Sequence, residues 1–159
     1  MPNTDGLTDR EAAIDAVIRF VSALDNGDTE LSASALTEDA VMDLTPFNKI
    51  GLSNSSYEPV HGRSTISERL MARVGKPLDT THMATNIRCT VKGDTAELSS
   101  CVLAQHFRGG QGPSPEYQDY YMFGNQYTAR LVREGELWKM CHLTIAPAWT
   151  QGNPDVMKV

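Results

Sequence analysis

No stretch of this 159-residue chain concentrates lysine or arginine, and its 14 basic residues are outnumbered by 20 acidic ones, a formal net charge of −6. A polyanionic partner needs a clustered basic footprint, so the sequence argues against nucleic-acid binding. Also missing is any apolar run near the ~20 residues that cross a bilayer, which argues against a membrane span. The opening Met1-Pro2-Asn3-Thr4-Asp5 has neither the basic nor the apolar region of a secretion signal. Cysteine is scarce: Cys89, Cys101 and Cys141 are odd in number and show no CxxC spacing. The expectation is a reduced, cytoplasmic protein whose thiols pack as small hydrophobes. Internal repeats and low-complexity tracts are absent too.

What is present is ordinary globular composition, with 40% hydrophobic and 21% charged residues. A chain of this length predicts one domain, here residues 1–159 with a core over about 8–153 and flexible ends. Such a domain buries roughly 70% of its unfolded surface and needs no disulfide or metal staple.

Thr8-Asp9-Arg10-Glu11 has the capping-box pattern, and Ile14, Val17, Ile18, Val21 and Leu24 then recur at helical spacing. Gly27 suits the left-handed residue that ends such a helix. A shorter helix is expected around Leu31, Ala35 and Leu36. A third is expected from a second capping box at Thr65 to Glu68, with Ile66, Leu70, Met71 and Val74 as its apolar face and Gly75 and Pro77 as its stop. The remainder reads as strands. A short one at Val41 to Leu44 pairs with Tyr57 to His61 across a polar loop at 48–56. Four long ones follow at about 81–91, 94–107, 119–133 and 137–149, with Gly93 and Gly135 in hairpin turns and a flexible loop at 109–113. Helices followed by strands predict an α+β fold: a curved, mainly antiparallel sheet forming a cone-shaped barrel with the helices around one pocket.

Alternation sorts the strand faces. Ala96, Leu98, Ser100, Val102, Ala104 and His106 form the smaller, more apolar face of their strand and are expected to point inward. Tyr121, Phe123, Asn125, Tyr127, Ala129 and Leu131 form the inward face of the next. In the last strand Leu143 and Ile145 are inward candidates, which puts Trp138 and Met140 on the other face. His82 shares a face with Ala84 and Asn86, and alternation does not decide which way that face looks. Asp25 stands at the negative end of the first helix, either exposed in a turn or received by a donor.

Several short motifs, in their order and spacing, resemble the SnoaL-like group of the nuclear transport factor 2-like superfamily, and within it scytalone dehydratase-like proteins and bacterial bile-acid dehydratases. They are Leu24-Asp25-Asn26-Gly27-Asp28, Val60-His61-Gly62-Arg63, Thr81-His82-Met83, Leu137-Trp138-Lys139-Met140 and Ala148-Trp149-Thr150-Gln151-Gly152-Asn153. The resemblance implies a catalytic set of Asp25, His82 and His106, with Asn125 and Tyr127 on the third long strand as polar partners. Tyr57, Tyr121, Phe123 and Leu143 complete the expected substrate-binding set. The family's tyrosine just before the aspartate is replaced by Leu24, so another phenol takes that role or the substrate does not need it. The family's dyads work without metal, and no HxH or HExxH spacing occurs here, so neither metal nor cofactor is expected. His61 and His142 are not assigned to the site.

Histidine exchanges protons near neutral pH, and a carboxylate on one imidazole fixes its tautomer. The expected activity is a cofactor-independent dehydratase, isomerase or cyclase acting on a hydrophobic polyketide-, terpenoid- or steroid-like molecule. A non-catalytic ligand-binding or assembly module on the same scaffold is the alternative. A limonene-type epoxide hydrolase needs Asp-Arg-Asp, and the inward faces offer no such set. The resemblance also implies a homodimer or homotrimer built on the outward sheet face, for which Leu103, Met122 and Trp138 are the apolar candidates.

Overall fold

The structure, a computed structural model, describes residue 2 and residues 4–52, 56–116 and 119–158. Helix α1, Asp9–Asn26, starts at the predicted capping box: Thr8 Oγ1 accepts the Glu11 amide while the Glu11 carboxylate accepts the Thr8 amide. It ends at Gly27, whose φ of +64° and position against the Gly75 carbonyl leave no room for a Cβ. Its buried stripe is Ala13, Ala16, Val17, Phe20, Val21, Ala23 and Leu24. Ile18 is exposed, because it sits one position off that stripe. The alanines let the helix lie close to the sheet.

Helix α2 is only Thr29–Ser34, because Ala35 and Leu36 already lead into strand β1, Leu36–Asp43. A short 3₁₀ turn, Thr45–Lys49, occupies part of the expected polar loop, and residues 53–55 of that loop lie outside the described residues. Strand β2 is reduced to Val60–His61 and pairs antiparallel with β1, Val41 opposite His61. Helix α3, Arg63–Leu70, begins two residues before the expected cap: Gly62 precedes it without a side-chain cap, so Thr65 and Glu68 lie inside the helix. A π-helical turn, Met71–Gly75, ends it.

The four long strands are β3 (Leu78–Lys92), β4 (Thr95–Arg108), β5 (Tyr120–Glu134) and β6 (Leu137–Gly152). They form an antiparallel meander, and β1 adds to its edge in parallel with β6, so the sheet order is β2-β1-β6-β5-β4-β3. The sheet is curved and unclosed, with the helices over its inner face; the fold is α+β as predicted. The chain continues past Asn153 into a 3₁₀ turn, Pro154–Met157, whose Val156 is fully buried in the common core.

Three bulges in the long antiparallel strands break the two-residue period and decide which residues face inward. In β3 the pairs Thr85–Cys101 and Arg88–Ser99 leave Asn86 and Ile87 opposite Ser100, with Asn86 at φ +52°. Thr80, His82 and Ala84 before the bulge therefore share the inner face with Ile87, Cys89 and Val91 after it. In β6 the pairs Arg130–His142 and Leu131–Met140 leave Cys141 unmatched. This corrects the expectation for that strand: Trp138 and Met140 face inward together with Leu143 and Ile145, and all four are buried. Trp138 is consequently no part of the outward face, where Leu103 and Met122 do lie. The third bulge, at Ala148, turns Trp149 outward over Gly124, where it is 46% exposed.

A Cβ at Gly124 would fall inside the Trp149 indole. Gly124→Ala should displace that ring and red-shift its emission, with a stability loss of about 1–3 kcal/mol. Trp138, 1% exposed, is the unchanged reference. An unaltered emission spectrum would contradict this packing.

The thiols pack less deeply than expected. All three thiols are free and half-buried, and Cys101 lies on the outward face beside the Gln126 amide.

Candidate active site

The C-terminal end of α1 brings Asp25 against β3, where a carboxylate at the negative end of a helix dipole needs donors. Strand β3 supplies three. The Thr80 hydroxyl donates to Oδ1 at 2.8 Å, the His82 amide donates to Oδ2 at 2.9 Å, and Nδ1 of His82 lies 2.6 Å from Oδ1. A carboxylate only accepts, so Nδ1 of His82 carries the proton. Partial burial works to raise the Asp25 pKa, but the hydrogen bonds and charge of His82 together with the Thr80 hydroxyl outweigh it, and the net shift is downward. Asp25 is therefore an ionised partner of His82. Its reading as a free turn residue is excluded.

His106 lies directly across from Thr80 on β4 and is 3% exposed. Its ring stands 5.6 Å from that of His82, perpendicular to it, and 5.4 Å from Phe123. Nδ1 faces the Tyr121 carbonyl at 3.2 Å, so this nitrogen also bears the hydrogen and donates it. On both imidazoles Nε2 is thus the nitrogen not engaged by these contacts. Desolvation, reinforced by the charge of His82, pushes the His106 pKa down to about 4, so the ring is neutral at physiological pH.

That shift predicts an acid dependence of stability. Between pH 6.5 and about 4 the unfolded chain carries a proton at this position that the folded chain lacks. Stability contributed by neutral His106 is therefore complete above pH 6.5 and falls as the pH drops towards 4, by about 3 kcal/mol in all. Urea unfolding at stepped pH measures this slope. His106→Gln should flatten it, and an equal slope in wild type and variant would refute the assignment.

The remaining predicted residues divide. Tyr121, Phe123, Asn125 and Tyr127 are all buried on the inner face of β5. Tyr121 packs edge-on against Phe123 at 4.8 Å, and Phe47 bridges Phe123 to the half-buried Tyr57 at 5.7 and 5.9 Å. Asn125 is 6% exposed, and its Oδ1 has no hydrogen-bond partner among the described residues. Burial, then the nearby Asp25 charge, raises the Tyr127 pKa, so its phenol stays a protonated donor. Leu143 lies further along the inner face: it pairs with Ala129, two inward rows beyond Asn125, and is buried. His61 is exposed, and His142 faces outward.

Two residues of the cluster escaped the sequence reading. Thr80 could have been found as the same-face neighbour of His82, two residues earlier. Phe47 had no local signal, since a 3₁₀ turn after β1 carries it inward.

No group of three His, Cys, Asp or Glu side chains is placed to hold a metal ion among the described residues. A groove of about 490 Å³ opens on the other side of the sheet, between Arg88, Glu97, Arg130 and His142, and shares no residue with the cluster. Among the described residues no helix is long and apolar enough to cross a membrane.

The chain is 35% identical over 153 residues to terrestric acid biosynthesis cluster protein E of Penicillium crustosum, covering 94% of this chain and 90% of that protein. Among solved structures, a Novosphingobium aromaticivorans protein provisionally named a scytalone dehydratase superposes with a TM-score of 0.71 at 20% identity, over 90% of this chain and 87% of its own. A hexachlorocyclohexane dehydrochlorinase from Novosphingobium barchaimii gives 0.67 at 19% identity, over 90% and 89% of the two chains. The family model described as the SnoaL-like domain matches residues 5–144. The helices over a curved sheet and this match together make the chain a member of the SnoaL-like domain family, on the nuclear transport factor 2-like fold.

Proposed function

We propose that the protein is a cofactor-independent lyase or isomerase that moves a proton next to a carbonyl in an uncharged, hydrophobic molecule of secondary metabolism. The observation that carries this reading is the Asp25–His82 pair set edge-on to a second, neutral imidazole. In the dehydratase form, Nε2 of His82 takes the proton α to the carbonyl, and Asp25 offsets the charge that develops on the ring. The released electron pair forms the carbon–carbon double bond as the β-hydroxyl departs. The same imidazolium returns its proton to that hydroxyl, so water leaves and His82 is neutral again. His106, already neutral and with Nε2 free, accepts a hydrogen bond from the substrate hydroxyl. The Tyr127 phenol donates to the carbonyl oxygen as negative charge gathers there.

The contents of the cluster support this substrate class. It contains no lysine or arginine, so a carboxylate would enter uncompensated beside Asp25. Its aromatic side chains, Phe47, Tyr57, Tyr121 and Phe123, suit a flat, apolar ring. Asn125 Oδ1 is a buried acceptor without a partner among the described residues, and a hydroxyl or amide hydrogen of the ligand would supply one. Membership in the SnoaL-like family, a relative from a biosynthetic cluster and structural neighbours named for elimination chemistry support the same reading. The protein is further proposed to self-associate as a dimer or trimer through the outward face bearing Met83, Leu103, Met122 and Trp149.

The test is proton exchange and water loss followed by NMR in deuterated buffer with β-hydroxytetralone, a neutral cyclic β-hydroxy ketone. Deuterium uptake α to the carbonyl, lost in His82→Ala, is the expected result. Tight binding without exchange would move the protein to the ligand-binding alternative.

A further inference from the structure

We propose that Thr80 is a positioning residue of this site: its hydroxyl holds the Asp25 carboxylate in the orientation that receives Nδ1–H of His82, and so determines which nitrogen of His82 is left for substrate. The inference rests on the function proposed above, but its physical basis is independent of any substrate.

The carboxylate of Asp25 turns about its last side-chain torsion unless both oxygens are held. Oδ2 is held by the main-chain amide of His82, which the β3 backbone places. Oδ1 is held by the Thr80 hydroxyl at 2.8 Å. Both anchors come from one strand, two residues apart on one face, and both are in place before the imidazole is considered. His82 then adds its ring to Oδ1 at 2.6 Å. Of the three donors the imidazole has the most torsional freedom, so its tautomer follows the carboxylate rather than setting it. Thr80 is well suited to the task. It is β-branched in a strand, so its χ1 is stiff, and its cross-strand neighbour is His106. One threonine thus stands beside both histidines and fixes the partner of one of them.

Without the hydroxyl, Oδ1 keeps only the mobile imidazole as a donor. The carboxylate can rotate, and His82 can exchange between Nδ1–H and Nε2–H forms. Only the first leaves Nε2 able to accept a proton.

The decisive experiment is ¹⁵N imidazole NMR of the full chain at neutral pH, comparing wild type with Thr80→Val, Thr80→Ala and Thr80→Ser. Wild-type His82 should show a single Nδ1–H tautomer. In Thr80→Val, close in shape but without the donor, His82 should become a tautomer mixture, while His106, tied to the Tyr121 carbonyl, keeps its spectrum. Thr80→Ser should restore the single form, and Thr80→Ala repeats the loss should valine perturb folding. With β-hydroxytetralone as probe, kcat should fall roughly 10–100-fold in Thr80→Val at little change in KM. A wild-type His82 spectrum in both Thr80→Val and Thr80→Ala overturns the inference whatever the activity. If the spectra change as described but wild type never exchanges the probe's α-proton, the positioning role stands and the proposed function is what fails.

Discussion

His82→Ala is expected to lower turnover of a β-hydroxy ketone by about 10²–10⁴-fold, the range for a lost general acid–base group. In the proposed mechanism His82 both accepts the α-proton and carries it to the leaving hydroxyl, so neither half of that reaction would survive its removal. Asp25→Asn should cost about as much. Three donors converge on Asp25: the Thr80 hydroxyl, the His82 amide and Nδ1–H of His82. An asparagine offers one acceptor oxygen and sets its own NH₂ against the rest, so Nδ1 loses the partner that defines its tautomer. His106→Ala should be milder, roughly 10–100-fold, because in the proposed mechanism this neutral ring accepts a hydrogen bond from substrate without carrying the proton. The ranking matters more than the values. Steady-state kinetics showing His106→Ala to be the more damaging change would reverse the roles of the two histidines.

The second large effect concerns the scaffold. Arg19 on α1 is 5% exposed, an arginine in the middle of an apolar helix face. Its Nε pairs with Asp15 at 2.7 Å, one terminal nitrogen donates to the Ser34 carbonyl and hydroxyl, and the other donates to the Trp138 carbonyl at 2.7 Å. One guanidinium thereby ties α1 to the end of α2 and to β6. Arg19→Met keeps much of the volume but leaves two carbonyls and a half-buried carboxylate without their donors. The expected loss is about 2–4 kcal/mol, a fall of roughly 5–15 °C in Tm for a chain of this size. Asp15→Asn should cost far less, since that carboxylate is 27% exposed and water can replace part of the pair. Differential scanning calorimetry of the two variants separates a shared staple from a simple ion pair. Equal Tm shifts would show that the carbonyl contacts contribute nothing.

Much of this architecture was legible along the chain because it is local. The capping box at Thr8 and Glu11 and the left-handed Gly27 are properties of a few neighbouring residues, and they bound α1 at both ends. The inner faces of β4 and β5 followed from strict alternation, which brought His106, Phe123, Asn125 and Tyr127 inward together. Alternation failed in β3 and β6, where bulges at Asn86 and Cys141 shift the period by one residue. A bulge is a property of two strands in register, not of one strand. Nothing beside Trp138 announces that Cys141 lacks a partner on β5.

The site shows the same division. The residue types for proton transfer, an aspartate at a helix end and histidines on two strands, are present in the sequence with the spacing of a known family. Their partnership is a tertiary matter: Asp25 and His82 are 57 positions apart and meet because α1 lies across β3. Leu143 faces inward as parity suggested, two rows beyond Asn125. Thr80 looked like nothing in particular until the strand set its hydroxyl against a carboxylate. Composition and local pattern therefore determined the class of fold, its elements and the chemical vocabulary of the site. Only the packing of α1 on the bulged sheet decided which of those groups share a proton, because hydrogen bonds act over about 3 Å and sequence separation says nothing about that distance.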